Sequence, residues 1–439
     1  MVISTGNLPP SRHVSDPSSL RLQIIVFALV SASFTNIYIT QPVLPVLRQE
    51  FAADTVVVSF TVSAVILGMA MSNLPFGFLV DRLPIHPIIL TGGLLVALGG
   101  FICAVTKDLW LLIGARFIQG LFIPALTTCL AAYLAKTLPT ERVTVVMGSY
   151  VSATVLGGMG GRFLGGWIHP PLHWRYAFVS ASVLILITTF SALRGLPRPR
   201  VAAGQKEEST PRLLGLRAWV RSGLTLSGVK ARLRGRSLAP PNGSIGFLEL
   251  LKCWETLRLY FCAAGSFAIF SSIFNYLPFR LNGPPFHLST ELTTLVYLVY
   301  VVGIFMGPTS GRISNRFGTG NTLLGGTVIL AGSLALILIP SLVAVLLGLF
   351  GVCTGFFTIH ASAVGSLNRK LSRGQGRANA LYVLFYYTGG WLGITGTGFA
   401  YGLGGWSAVV FCAFFLLIIP LSAGMGERKM GNRPNAAST

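Results

Sequence analysis

The sequence predicts an all-α membrane protein in which twelve transmembrane helices form two pseudo-twofold-related bundles of six. Of its 439 residues, 52% are hydrophobic and only 10% are charged, whereas soluble domains carry roughly 25% charged residues. Twelve apolar runs are each close to the ~20 residues that a helix needs to cross a bilayer. The runs lack the alternating pattern of a membrane barrel, so helices are the structure that satisfies their backbone in lipid.

The runs fall into two sets of six on either side of a basic stretch. The first set covers 22–44, 56–76, 88–106, 110–134, 143–168 and 174–194. The second set covers 257–279, 292–311, 321–340, 342–367, 377–402 and 405–424. Residues 1–21 and 425–439 are predicted as tails and 195–256 as a central loop, which leaves bundles at 22–194 and 257–424. The first run is longer than a signal-peptide core and lacks a small-residue cleavage site, so we expect it to be retained.

The distribution of basic residues predicts the orientation. The chain has 33 Lys and Arg against 12 Asp and Glu. If the N-terminus is cytoplasmic and the chain alternates, the outer loops hold only Arg48, Lys107, Arg175 and Arg280. This asymmetry follows the positive-inside rule and accounts for the net charge of +21 without a nucleic-acid partner. We therefore expect both termini on the cytoplasmic side of the inner (plasma) membrane. The basic central loop is either a solvated linker or an amphipathic segment on anionic lipid.

The fifth run contains a glycine-rich stretch with a charge inside it. Gly157, Gly161 and Gly165 share one side of a helix at its 3.6-residue period. Such a stripe of small residues lets a neighbouring helix approach closely. Arg162 stands in the same stretch, where a charge is costly. The stretch is either a plain packing seam with an outward-reaching arginine or a hinge-like seam beside a polar pathway.

The two halves repeat weakly, which predicts a binding site between them. The loop after the second run reads Gly77-Phe-Leu-Val-Asp-Arg82, and Gly311-Arg-Ile-Ser-Asn-Arg316 follows the eighth. Parallel repeats of this kind are related by an axis along the membrane normal and bind substrate near the midplane. The candidate cavity residues are Asn36, Tyr38, Gln41, Asn275, Tyr276 and Tyr386. Each alone is better explained by helix packing or by an aromatic interfacial belt than by contact with a ligand.

Three motifs resemble those of the major facilitator superfamily. They are the Gly77 to Arg82 loop, the pattern Leu112-Ile-Gly-Ala-Arg116-Phe-Ile-Gln119-Gly120, and the glycines of the fifth run. The resemblance implies secondary transport by alternating access. It implies that Gly77, Asp81 and Arg82 form a conformational latch with Arg142 or Arg377. It also implies a role for Arg116 in proton coupling, beside Gln119 and Gly120, and we expect Arg116 to face a central cavity.

The glycine motif is similar to that of the superfamily's antiporters. Its spacing matches at Gly148, Gly157, Gly161, Gly165 and Gly166, while Arg162 replaces a proline that the pattern expects. The resemblance therefore implies efflux, in the manner of drug or arabinose efflux permeases. The missing proline means that the usual kink residue is absent.

The positions of the acidic residues limit which groups could couple transport to protons. None of the twelve lies in the middle of a predicted span, so Asp54, Glu50, Glu291, Asp81 or His360 remain as titrating candidates. Arg116 and Arg162 without a deep acid favour an anionic substrate. The six cysteines show no metal spacing, and neither a phosphate-binding loop nor a catalytic cluster occurs.

The sequence therefore predicts a transporter, not an enzyme. We expect no cofactor and no metal, and a proton gradient as the energy source. The expected partners are a small-molecule substrate and the lipid bilayer, and the chain is expected to act as a monomer. Proton-coupled efflux by antiport is the leading function. Uptake of a nutrient or organic anion by a symporter or uniporter is the alternative.

Overall fold

The computed structural model describes residues 17–80, 82–196, 246–371 and 374–431, and these ranges are helical with short connections and contain no strand. The first half comprises helices Pro17–Tyr38, Leu44–Glu50, Thr55–Leu79, Ile85–Val105, Leu109–Leu126, Thr128–Thr137, Thr140–Ile168 and Arg175–Gly195. The second comprises Phe247–Lys252, Trp254–Asn282, Thr290–Val296, Val302–Phe317, Thr319–Leu336, Leu342–Lys370, Gln375–Leu416 and Ile418–Gly431. We number the spans one to twelve in the order of the twelve predicted runs. Short 3₁₀ segments at Gln41–Val43 and Tyr297–Val301 lie within spans one and eight.

Ten stretches of the described helices are long and apolar enough to cross a membrane. One of them, Gln375–Met430, contains both spans eleven and twelve. The chain turns between these two spans at Gly404 and Gly405, whose backbone angles are not helical. Gly405 has φ +59°, a conformation that favours glycine. Span five, Thr140–Ile168, is 29 residues long but rich in glycine and carries Arg162. The twelve predicted spans are therefore all helical.

Several helices extend beyond the predicted limits. The first begins at Pro17 instead of residue 22, and the last continues to Gly431 instead of ending at 424. The helix Phe247–Lys252 and the start of span seven at Trp254 lie inside the predicted central loop. Polar and basic residues are common in the extra turns at the two ends of the chain, so the apolar pattern does not mark them. The helix Phe247–Lys252 is largely apolar, but with six residues it is too short to be recognised as a span.

The two halves repeat one pattern of helix pairing. Span one packs on spans five and six, span two on four, and span three on four and six. Span seven packs on eleven and twelve, span eight on ten, and span nine on ten and twelve. The halves meet where span two contacts eleven and span five contacts eight. Spans eight and eleven are the counterparts of spans two and five, so the two contacts between the halves involve equivalent pairs. A twofold axis along the membrane normal generates this arrangement.

The terminal face is the side at which span one begins and span twelve ends. The opposite face is the side that holds Glu50, Trp174 and Ser289, at the other ends of the spans.

Candidate functional site

The glycines of span five form a close seam with span one. A Cβ at Gly157, Gly161 or Gly165 would overlap backbone atoms of span one, at Ser31, Thr35 and Ile39 in turn. A Cβ at Gly148 would meet nothing within 4 Å. Three glycines of the motif therefore allow close helix packing, and Gly148 does not share this role.

Arg162 lies at the contact between the two halves and is only 1% exposed. Its Nε donates to Oε1 of Gln41 at 2.6 Å, and its Nη1 donates to the carbonyl oxygen of Gly158 at 2.7 Å. Its Nη2 donates to the hydroxyl of Tyr300, in span eight, at 2.9 Å. Arg162 thus joins span five to span one in its own half and to span eight in the other half.

Three tyrosine rings enclose the same guanidinium. The Cζ of Arg162 lies 4.0, 5.1 and 4.2 Å from the ring centroids of Tyr38, Tyr297 and Tyr300. Aromatic faces attract a desolvated cation, by about 2 kcal/mol in favourable cases. We call Arg162, Gln41 and these three tyrosines the arginine cage. No carboxylate pairs with Arg162 among the residues that the structure describes.

The arginine cage combines predicted and unpredicted residues. Tyr38, Gln41 and Arg162 were candidates from the sequence, and the structure brings all three together. Tyr297 and Tyr300 were missed, although their three-residue spacing in an apolar run could have marked them. The Arg162 guanidinium is held by neutral groups and has no counter-charge, so it can attract an anion. The two oxygens of a carboxylate could take the places of the Gln41 and Tyr300 oxygens and accept two parallel hydrogen bonds.

Arg116 has a different environment, enclosed by helices of the first half. It is 0% exposed. Its Nη1 and Nη2 donate to the carbonyl oxygens of Asn36 and Ile37 at 2.5 and 2.6 Å, and its Nε to that of Thr61 at 2.9 Å. The first helix ends at Tyr38, so the carbonyls of Asn36 and Ile37 lack partners within the helix. Arg116 therefore caps the end of the first helix, where a cation also favours the helix dipole.

The predicted orientation of Arg116 toward a central cavity is thus not what the structure shows. The same buried network contains two other candidates: Gln119 accepts from Arg116 at 2.7 Å and donates to Oδ1 of Asn36 at 3.4 Å. Asn36 is 0% exposed and does not line an open site. A Cβ at Gly120 would overlap the Val65 backbone, so Gly120 lets span two approach.

Candidates of the second half lie on spans seven, ten and eleven. Tyr276 donates its hydroxyl to the carbonyl oxygen of Ile394 at 2.8 Å. Asn275 is fully buried, and neither amide atom has a hydrogen-bond partner among the described residues. Tyr386 stacks on Phe267 with centroids 3.8 Å apart, and lies 5.1 Å from the ring of His360.

His360 lies beside Tyr382 of span eleven. Its Nδ1 lies 3.1 Å from the hydroxyl of Tyr382. Both His360 and Tyr386 are partly exposed, whereas Tyr382 is buried. The structure therefore places His360 and Tyr386 together in a cluster of aromatic side chains of the second half, apart from the Arg116 network.

The remaining candidates lie at the two faces. Asp81 falls outside the described residues, so the latch stays a prediction. Arg377 lies 5.8 Å from the Phe247 ring, and a Cβ at Gly77 would meet nothing within 4 Å. Arg142 is exposed and Arg82 is partly exposed. Asp54 is exposed at the start of span two on the opposite face.

The hydrogen bond between Arg162 and Tyr300 is expected to help hold the halves together. In Tyr300→Phe the ring remains but the acceptor for Nη2 is lost, at a cost of about 2 kcal/mol for a bond to a charged group. Hydrogen exchange of residues 290–301 should rise by more than tenfold, since this contact must break when the halves separate.

Tyr297→Phe is the matched control for this experiment. The Tyr297 hydroxyl donates to the carbonyl oxygen of Phe274 in the same half. Removal of this hydroxyl should leave the hydrogen exchange of residues 290–301 almost unchanged. Equal exchange in both variants would show that the Tyr300 bond does not hold the halves together.

Two pseudo-symmetric six-helix halves with a buried polar contact between them define the class of multi-pass membrane transport proteins. A profile of the Major Facilitator Superfamily matches residues 26–394. The chain belongs to this superfamily, and it is a transporter rather than an enzyme.

Its relatives agree with this assignment over nearly the full length. The chain is 28% identical to the uncharacterized MFS-type transporter YybF of Bacillus subtilis (strain 168), covering 90% of this chain and 91% of YybF. It is 26% identical to the inner membrane transport protein YnfM of Escherichia coli (strain K12), covering 93% and 90%. Among solved structures, a bacterial homolog of the human lysosomal transporter Spinster, inward-facing and unoccupied, superposes with a TM-score of 0.72. That match covers 96% of this chain and 100% of the other at 13% identity, and it supports the fold alone.

Proposed function

We propose that the protein exports a small molecule across the inner membrane in exchange for protons, with both termini in the cytoplasm. The observation that carries the proposal is the seam between spans five and one. The antiporter-like glycines Gly157, Gly161 and Gly165 occupy the positions where a side chain would overlap span one. Three glycines of the motif are thus used for helix packing in this chain, whereas Gly148 is not.

The arginine cage supports alternating access around the same seam. Arg162 is held by span one and by span eight, so a movement of one half against the other must change its contacts. Gly166 adds a second contact between the halves, because a Cβ there would overlap Thr294. Both contacts hold the two halves together near the opposite face. His360, partly exposed beside Tyr382, is the candidate proton carrier.

A second candidate function is uptake of an organic anion by symport or uniport. It is favoured by the lack of a carboxylate partner for Arg162 among the described residues, because a buried guanidinium then has an unused preference for an anion. In this alternative the substrate carboxylate would enter the arginine cage.

Transport in proteoliposomes with an imposed pH gradient separates the two candidates. Antiport predicts that substrate is driven against its gradient when protons flow the other way. Symport predicts accumulation in the direction of proton flow, and uniport predicts no response to pH. Radiolabelled organic anions and lipophilic drugs should be tested in the same vesicles.

Arg162→Gln tests the anion site within that assay. If the cage binds a carboxylate, the variant should lose at least tenfold in anion transport, since a charge-assisted pair is worth about 1.5–3 kcal/mol. Arg48→Gln, an exposed arginine on the opposite face, is the control and should keep its rate. Unchanged anion transport by Arg162→Gln would remove the second candidate and leave the antiport proposal standing.

A further inference from the structure

A groove of about 600 Å³ lies between spans seven and twelve near the terminal face. The two spans touch at Gly265, whose Cβ would lie 2.8 Å from the Ile419 side chain. The groove wall is largely apolar and accessible: Trp254, at the terminal-face end, is 64% exposed, and Ile418, deeper in the membrane, is 61% exposed. Such a wall at the surface of a membrane protein suits the acyl chains of a lipid.

Two basic side chains, Arg258 and Lys429, line the same groove. The Arg258 side chain is only 10% exposed, and its Nη2 pairs with Glu427. Its Nε is buried without a hydrogen-bond partner among the described residues. A buried donor of this kind is costly when unpaired, so an acceptor oxygen in the groove would stabilise it.

Gly426 places the Arg258 guanidinium at the groove. A Cβ on Gly426 would lie 2.7 Å from the Arg258 Cζ and 2.8 Å from its Nε, so any larger residue would displace the guanidinium. The position therefore keeps a buried cation at the edge of an apolar groove.

The local charge balance is positive. Two carboxylates balance Arg258 and Lys370, because both cations pair with Glu427 and Lys370 also pairs with Glu255. The Lys370 Nζ lies 2.9 Å from Oε1 of Glu427 and 3.4 Å from Oε2 of Glu255, so the excess positive charge is that of Lys429. No carboxylate pairs with Lys429 within the described ranges. Basic pockets between helices at a membrane face attract anionic headgroups.

We propose that this groove binds one anionic phospholipid, with its phosphate between Arg258 and Lys429, its headgroup level with Trp254, and its acyl chains along Phe261 and Ile418. The lipid links span seven to span twelve. The site lies on spans seven and twelve, apart from the arginine cage on spans one, five and eight, so this proposal does not depend on the substrate or on the direction of transport.

Native mass spectrometry of the full-length protein tests this site. The protein in detergent is titrated with phosphatidylglycerol or with phosphatidylcholine of the same acyl length. The wild type should bind one phosphatidylglycerol in preference to phosphatidylcholine. Lys429→Gln should weaken phosphatidylglycerol binding about fivefold, the effect of one basic residue near a membrane surface. Gly426→Ala should weaken it as well, since it moves Arg258 while keeping every charge.

Arg428→Gln is the matched control, because it removes the same charge from the adjacent exposed residue, which does not line the groove. Its affinity for phosphatidylglycerol should stay at the wild-type level. Equal losses of phosphatidylglycerol affinity in Arg428→Gln and Lys429→Gln would contradict the proposed lipid site. Equal binding of the two lipids by the wild type would contradict it as well. Thermal unfolding of each variant in phosphatidylcholine confirms that any loss is not caused by misfolding.

Discussion

Gly165→Ala is expected to abolish transport and to lower the free energy of unfolding by about 3 kcal/mol. A Cβ at this position would overlap the carbonyl oxygen of Ile39, which is backbone and cannot rotate away. Spans one and five would have to separate, and overpacking a tight contact costs up to this amount or more. The separation would also move Gln41 away from Arg162, because Gln41 follows Ile39 closely in span one. Denaturant titration in detergent micelles and transport in vesicles measure the two effects.

Gly148→Ala supplies the control within the same motif. Its Cβ would meet nothing within 4 Å, and alanine is the better helix former by up to about 1 kcal/mol. We expect transport at the wild-type rate and equal or slightly higher stability. Similar losses in the two variants would show that the whole motif, and not the seam with span one, is sensitive to substitution.

Arg116→Met is expected to lower stability first and transport as a consequence. Methionine fills part of the volume but leaves the carbonyl oxygens of Asn36 and Ile37 buried and unpaired. Each unpaired buried acceptor costs about 1–3 kcal/mol, so we expect a loss of about 4 kcal/mol. Arg116→Lys should recover only part of this loss, since one ammonium group cannot reach three carbonyls with the geometry of a guanidinium.

The readout that isolates the capping role is local. Hydrogen exchange at the end of the first helix should increase in Arg116→Met even under conditions in which the rest of the protein remains folded. Arg48→Met, at an exposed arginine, should change neither stability nor exchange there. If Arg116→Met transported poorly but kept wild-type stability and exchange, Arg116 would act in coupling and not as a cap.

The spans of the protein could be predicted from the sequence because they depend on local composition, and its class and its repeat could be predicted from short motifs. A run of about 20 apolar residues has few stable structures in a bilayer, so length and hydropathy decide the helix. The seam glycines were also predictable, since the 3.6-residue period places Gly157, Gly161 and Gly165 on one side. Span ends were less accurate, because the last turns, such as those up to Gly431, are polar.

Only the tertiary structure decided what each buried charge contacts. Arg116 and Arg162 look alike in the sequence, as single arginines in apolar helices. One binds main-chain oxygens 79 and 80 residues away, and the other a tyrosine hydroxyl 138 residues away. Main-chain acceptors have no residue type, and a partner in the other half leaves no local pattern. Glu427, placed in the predicted tail, is likewise buried in a network with Arg258 and Lys370 that becomes apparent only when spans seven, ten and twelve are packed together.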